Sequence, residues 1–229
     1  GDGTTTDRLT PTQTSSLGAG RTAVWIAAGN EHTCALLDDG TVVCWGANSN
    51  GELGDGSNSD RLTPTQTASL GGSAIAIAAG GYHTCAILDD GSVSCWGANA
   101  QYQVGSVASA GFNIPTQTAS LGTDRTAVSI SAGEGHTCAI LDDGSVICWG
   151  YNQYGQVGHG GSESRILPTQ TATLGTGRTA TEISAGSHHT CAILDDGNVT
   201  CWGYNANGQL GDGTTSSRDT PAPTATLGA

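Results

Sequence analysis

Eight cysteines, four histidines that each precede a Thr-Cys pair, and four Asp-Asp pairs are the residues with chemistry to offer in this chain. The cysteines form pairs at a constant spacing: Cys34 with Cys44, Cys85 with Cys95, Cys138 with Cys148, and Cys191 with Cys201. A zinc site favours close Cys-x-x-Cys spacing, which no pair provides. Between the members of each pair lies Asp-Asp-Gly, which fits a three-residue hairpin loop with glycine in the left-handed position. With Asp38-Asp39-Gly40 as the loop, Leu37 faces Thr41, Leu36 faces Val42 and Cys34 faces Cys44. Opposed residues in an antiparallel pair have Cβ atoms about 4.5–5.5 Å apart, a small adjustment from the ~3.8 Å of a disulfide. The spacing therefore predicts four cross-strand disulfides, each adding roughly 2–3 kcal/mol. Such bridges persist in oxidising surroundings, so the expected location is extracellular or at the cell surface.

The other candidates weigh differently. His32, His83, His136 and His189 recur at one position, and a ring of equivalent histidines is a conceivable metal or proton site. Asp38-Asp39, Asp89-Asp90, Asp142-Asp143 and Asp195-Asp196 resemble acid–base pairs, but a hairpin tip has no closed pocket and turn chemistry accounts for them. Asp55, Ser57, Ser59 and Asp60 alternate oxygen-bearing side chains around a glycine, a weak calcium candidate. The loop lacks the terminal Glu of a calcium-binding helix–loop–helix, and the counterpart at His159 breaks the series, so solvated turns are the simpler reading and no metal or cofactor is expected. Asn198-Val199-Thr200 is a glycosylation sequon inside a strand. His159 and His188 lie outside the pattern. An enzyme would need one irregular, non-repeated polar cluster, and none is visible in the sequence.

These residues sit in a repeat, and a fixed period of this length marks solenoids and propellers. Successive first cysteines lie 51, 53 and 53 residues apart. The units run about 1–53, 54–104, 105–157 and 158–210, with a partial unit 211–229 that matches the opening residues, all in one array. Each unit holds the Cys hairpin, a glycine-rich tail such as YNQYGQVGHG, a proline segment such as LTPTQTASLG, and an apolar run such as TAVWIAAG. Period-two alternation around Asp-Asp-Gly marks two strands. The apolar run supplies a third strand, and the proline segment is a weaker candidate for a fourth. One face of the hairpin carries the disulfide, Leu36 and Val42, and the other carries Ala35, Leu37, Val43 and Trp45. Two apolar faces predict sheets stacked side by side, an all-β propeller of about four blades.

The bulk numbers exclude some partners. Twenty acidic residues against seven arginines and no lysine give a net charge of −13. That balance argues against nucleic acid and against anionic lipid. No stretch approaches the ~20 apolar residues of a membrane helix. The chain opens at Gly1 inside a repeat, which reads as part of a longer precursor.

The phrase and its tail resemble the repeat of the regulator of chromosome condensation family. The matching residues are His136, Thr137, Asp143, Gly144, Trp149, Gly150, Asn152, Gly155, Gln156, Val157 and Gly158, with counterparts in the other units. The second unit departs at Gln101-Tyr102-Gln103, where the first tail glycine is missing. The resemblance implies a propeller of four-stranded blades, usually seven. It makes the recurrent His32, His83, His136 and His189 and the recurrent Trp45, Trp96, Trp149 and Trp202 signature residues of the repeat. A ring hydrogen bond to neighbouring backbone or to an Asp is the expected role of the histidines. Family members include a nucleotide exchange factor, a plant ultraviolet photoreceptor and a β-lactamase inhibitory protein, and none of these activities carries over residue by residue. The leading expectation is a non-enzymatic, secreted or surface-exposed bacterial scaffold for a protein or glycan partner. The alternative is a structural protein that self-associates end to end into a filament or layer.

Overall fold

The hairpin builds each sheet outward. The protein is described here by a computed structural model covering residues 1–108 and 110–225. Strands β2 (His32–Leu37) and β3 (Val42–Gly46) pair antiparallel with Leu36 opposite Val42, Ala35 opposite Val43 and Cys34 opposite Cys44. Leu37 N donates to Thr41 O at 2.9 Å and Gly40 N to Leu37 O at 3.0 Å. Gly40 has φ +77°, the left-handed conformation that the loop requires. The apolar run forms β1 (Ala23–Ala28) on the far side of β2, and the proline segment forms β4 (Arg61–Gln66) beside β3. Pro64 therefore lies on an edge strand, where a missing N–H costs no ladder bond.

The pattern recurs three times. The second sheet holds β5 (Ala74–Ala79), β6 (His83–Leu88), β7 (Val93–Gly97) and β8 (Phe112–Gln117). The third holds β9 (Ala127–Ala132), β10 (His136–Leu141), β11 (Val146–Gly150) and β12 (Arg165–Gln170). The fourth holds β13 (Ala180–Ala185), β14 (His189–Leu194), β15 (Val199–Gly203) and β16 (Arg218–Pro223). All four cysteine pairs are bonded, with S–S distances of 2.10, 2.09, 2.12 and 2.09 Å. No helix among the described residues is long and apolar enough to cross a membrane.

The core lies between sheets. Cys85, Ile87, Val93, Cys95 and Val104 of the second sheet and its tail pack on Ala127, Ala139, Leu141, Ile147 and Trp149 of the third. Equivalent residues join the first sheet to the second and the third to the fourth. The disulfide face of one blade thus meets the tryptophan face of the next. A repeated polar tether crosses the same boundary. The carbonyl of Gln103 accepts from Thr137 Oγ1 and from Trp149 Nε1, both at 2.9 Å. The carbonyls of Glu52 and Gln156 do the same for Thr84 with Trp96 and for Thr190 with Trp202. This explains the Gly-Gln-Leu-Gly tail, whose Leu or Val is buried and whose backbone carbonyl holds the following blade. The next tail glycine closes the contact: a Cβ on Gly158 would lie 2.6 Å from Trp202 Nε1. On the first sheet, Leu17 packs against Ala35, Leu37, Val43 and Trp45.

Thr137 is the most exacting point of this tether, because its hydroxyl joins His83 Nε2 at 2.8 Å to the Gln103 carbonyl. Thr137→Val keeps the shape and leaves both partners buried without the hydroxyl. The expected loss is about 1–3 kcal/mol of unfolding free energy in urea titrations of the oxidised protein. A midpoint equal to wild type would remove the hydroxyl from the tether.

Candidate functional site

At the end of the array where β2-type strands begin and β3-type strands finish, the loops gather aromatic side chains. Two loop types build that end. One joins β9 to β10 and β13 to β14, and carries Glu134 and His188. The other is the tail after β11 and β15, and carries Tyr151, Tyr154 and Tyr204. The tail is braced from within. Asn152 Oδ1 accepts from Val157 N at 2.7 Å, and Gln156 Oε1 accepts from Tyr154 N at 3.0 Å. Asn152 and Gln156 are both fully buried, so the tyrosines project from a rigid loop rather than a mobile one.

The rings meet across the boundary between the third and fourth blades. Tyr154 is central, with ring centroids 4.8 Å from Tyr204, 5.3 Å from His188 and 6.1 Å from Tyr151. The rings are tilted or edge-on, at interplanar angles of 60°, 40° and 77°, the arrangement that ring quadrupoles favour. Tyr151 Oη donates to Gln153 Oε1 at 2.8 Å. Burial, then the neighbouring Tyr154, raises the Tyr151 phenol above its ordinary value. Glu134 Oε2 lies 3.4 Å from His188 Nε2. Tyr154 is 38% exposed and the Glu134 side chain 42%, so the cluster is open to solvent and carries a carboxylate at its edge.

The repeat concealed this irregular cluster, which is aromatic and open to solvent rather than the polar pocket an enzyme would need. His188, uninformative in the sequence, is part of it. The available signal was departure from the repeat: Tyr151 and Tyr204 stand where the first two units have Ala47 and Ala98, and Tyr154 where the first has Asn50.

His32, His83 and His136 face the next sheet, and their Nε2 atoms lie 2.9, 2.8 and 2.9 Å from the hydroxyls of Thr84, Thr137 and Thr190. The partner is therefore a threonine of the following blade, not backbone or Asp, because the histidine opens β2 on the face that meets that blade. His189 ends the series and is less buried. Trp96, Trp149 and Trp202 are fully buried, and Trp45 is nearly so. The aspartate pairs serve the turns: Asp38 accepts from Thr22 and Asp39 from Thr41, and these bonds hold both carboxyls below the usual range. The oxygens of the calcium candidate face protein donors. Burial opposes ionisation of Asp55, but bonds from Ser57 and Arg61 outweigh it, with the Arg61 guanidinium 2.6 Å away. Asp60 accepts from Asn48 N, and the Ser57 and Ser59 carbonyls accept from Asn48 Nδ2. Arg61 supplies the positive charge there. Asn198 is exposed and donates to Asp196.

Comparison with known proteins agrees with this geometry. The pattern of the RCC1-like domain matches residues 1–228. This chain belongs to the RCC1-like domain family. Its RCC1-like repeats are 33% identical over 214 residues to the ultraviolet-B receptor UVR8 of Arabidopsis thaliana, covering 93% of the chain and 48% of that protein. They are 35% identical over 201 residues to the probable E3 ubiquitin-protein ligase HERC4 of Homo sapiens, covering 86% of the chain and 19% of that protein. The chain thus spans about half or less of these relatives. Among solved structures, Prp20p of Saccharomyces cerevisiae superposes with a TM-score of 0.84 at 23% identity, over 95% of this chain and 53% of that one. Human WBSCR16 gives 0.80 at 24% identity, over 90% and 54%. At these identities the structures show the shared fold alone.

The buried histidines make the RCC1-like array sensitive to acid. Burial holds the His32 imidazole down to about 4. Burial, then the neighbouring histidines, holds His83 and His136 down to about 3. Below the ordinary value of 6.5 the unfolded chain binds more protons than the folded one, so stability falls as pH drops toward 3–4. The limiting slope is about 1.4 kcal/mol per pH unit for each histidine. Urea midpoints of the oxidised protein at pH ~7.5 and ~5 should show the drop, and a His83→Gln variant a shallower one. Equal midpoints at both pH values would contradict neutral buried imidazoles.

Proposed function

We propose that this chain is a non-enzymatic β-propeller scaffold that binds a partner protein through the end of the array bearing Tyr151, Tyr154, Tyr204 and His188. The observation that carries the reading is the cluster itself: an exposed Tyr154, three half-buried rings around it and a carboxylate, rigidly mounted and outside the repeat consensus. Tyrosine supplies large, amphipathic contact area at low entropic cost and is enriched among interface hot spots. Relatives of the fold support a protein partner. Prp20p is described with binding properties toward Gsp1p and histones, and in complex with Kap60. The four bridged cysteine pairs suit an oxidising, non-cytosolic setting, and we place the protein outside the cell or on its surface. A glycan is the narrower alternative occupant of the same rings.

A photo-crosslinking residue at Gln153, beside the cluster, is expected to yield discrete adducts with surface proteins of the source organism. The same residue at Thr123, at the opposite end of the array, is expected to yield none. Equal adducts at both positions would remove the cluster as the binding surface.

End-to-end assembly has its own observation. On β1, Ile26 lies on the tryptophan face opposite Ala35 and is 64% exposed, whereas its counterparts Ile77 and Ile183, each covered by a preceding blade, are 3% and 7% exposed. At the other end of the array, Ile193 of the fourth blade's disulfide face is 38% exposed. A second copy set against the fourth blade brings its Thr33 opposite His189, continuing the histidine–threonine series. Light scattering over a wide concentration range should then show mass growth that Ile26→Glu abolishes. A constant single-chain mass in both proteins would eliminate this reading.

A further inference from the structure

We infer that the aromatic cluster is a receptor for a cationic side chain, an arginine on a basic segment of the partner protein. This rests on the scaffold reading above and adds the chemistry of the occupant. Three observations carry it. First, the cluster presents ring faces and edges in one place, with Tyr154 packed at 4.8–5.3 Å against Tyr204 and His188. Ring faces attract a guanidinium within about 6 Å of their centroids. Second, the Glu134 carboxylate borders the rings and is 42% exposed, with a histidine as its only ionic partner among the described residues. An arginine stacked on Tyr154 finds in Glu134 the planar acceptor that its fork matches. Third, among the described residues six of the chain's seven arginines are occupied by its own aspartates, the exception being Arg165, which opens β12 opposite Gly150. Arg8, Arg21, Arg61, Arg125, Arg178 and Arg218 are each paired with an aspartate. With 20 acidic residues against seven basic ones, the field around the cluster draws cations in and repels acidic partners.

The tilted packing also favours this occupant over a sugar. A pyranose stacks on a broad flat ring face, whereas these rings stand at 40–90° to one another. A guanidinium is small and planar and fits over a single ring while reaching a carboxylate at its rim.

The test uses the whole oxidised chain and two peptides, one alternating arginine and glycine, the other with citrulline at every arginine. Citrulline keeps the planar shape but, with a carbonyl oxygen in place of one terminal nitrogen, lacks the charge and part of the donor fork. Calorimetry at physiological salt is expected to show the arginine peptide binding at least about tenfold more tightly. Tyr154→Ala and Glu134→Gln should each weaken it by about fivefold or more, while Tyr154→Phe retains binding. Glu31→Gln removes the same charge from the same end of the array, away from the rings, and should change affinity less than about twofold. Circular dichroism and thiol titration establish that each variant is folded and oxidised. Equal binding of the citrulline peptide overturns the inference while leaving a neutral protein partner at the cluster open to the crosslinking experiment. Equal effects of Glu134→Gln and Glu31→Gln overturn it in favour of diffuse charge. Binding of an N-acetylglucosamine hexasaccharide that is lost in Tyr154→Ala, without arginine-peptide binding, overturns it in favour of a glycan.

Discussion

The contact between one blade's disulfide face and the next blade's tryptophan face is what the rest of this molecule depends on. A sheet with apolar residues on both sides has nowhere to bury them except against another sheet. Each boundary combines that burial with one doubly used backbone carbonyl, which accepts from a threonine hydroxyl and an indole N–H of the following blade. The buried carbonyl and indole each need a partner in the absence of water, so apolar packing and polar satisfaction require the same alignment. The disulfide belongs to this boundary as well, because its sulfurs are part of the packed face. Stability in such an array is a sum of units and neighbouring interfaces, and here the interface explains most of the recurring residues.

That constraint also determines where variation is tolerated. Residues of β2 and β3 face two neighbours and are held to a narrow set. The loops at the strand ends touch solvent and need only preserve the buried Asn and Gln or Glu that brace the tail. The third and fourth units use this freedom to place tyrosines where earlier units have alanine or asparagine. The surface that results is aromatic and bordered by acid, on a chain whose arginines are largely occupied by its own aspartates. Binding chemistry is thus added to the scaffold without disturbing the boundaries beneath it, as expected when function is grafted onto a shared fold.

The sequence alone determined what repeats locally. A loop of Asp-Asp-Gly has one sensible register, and turn geometry by itself then places Cys34 against Cys44 and Leu36 against Val42. Two-faced hydrophobicity and a period of 51–53 residues lead to stacked four-stranded blades, and the proline segment proves to be the outer strand because an edge strand tolerates a missing donor. Tertiary structure decided everything that joins residues about fifty positions apart. The histidines reach threonines of the next blade, a pairing that no spacing within one unit encodes. The aromatic site depends on Tyr151, His188 and Tyr204, which come from different loops and meet only because two blades are docked side by side. A short-range pattern records local geometry, since turn and strand pairing are set by neighbouring residues. A binding surface across a blade boundary is recorded only in the packing that brings the two blades together.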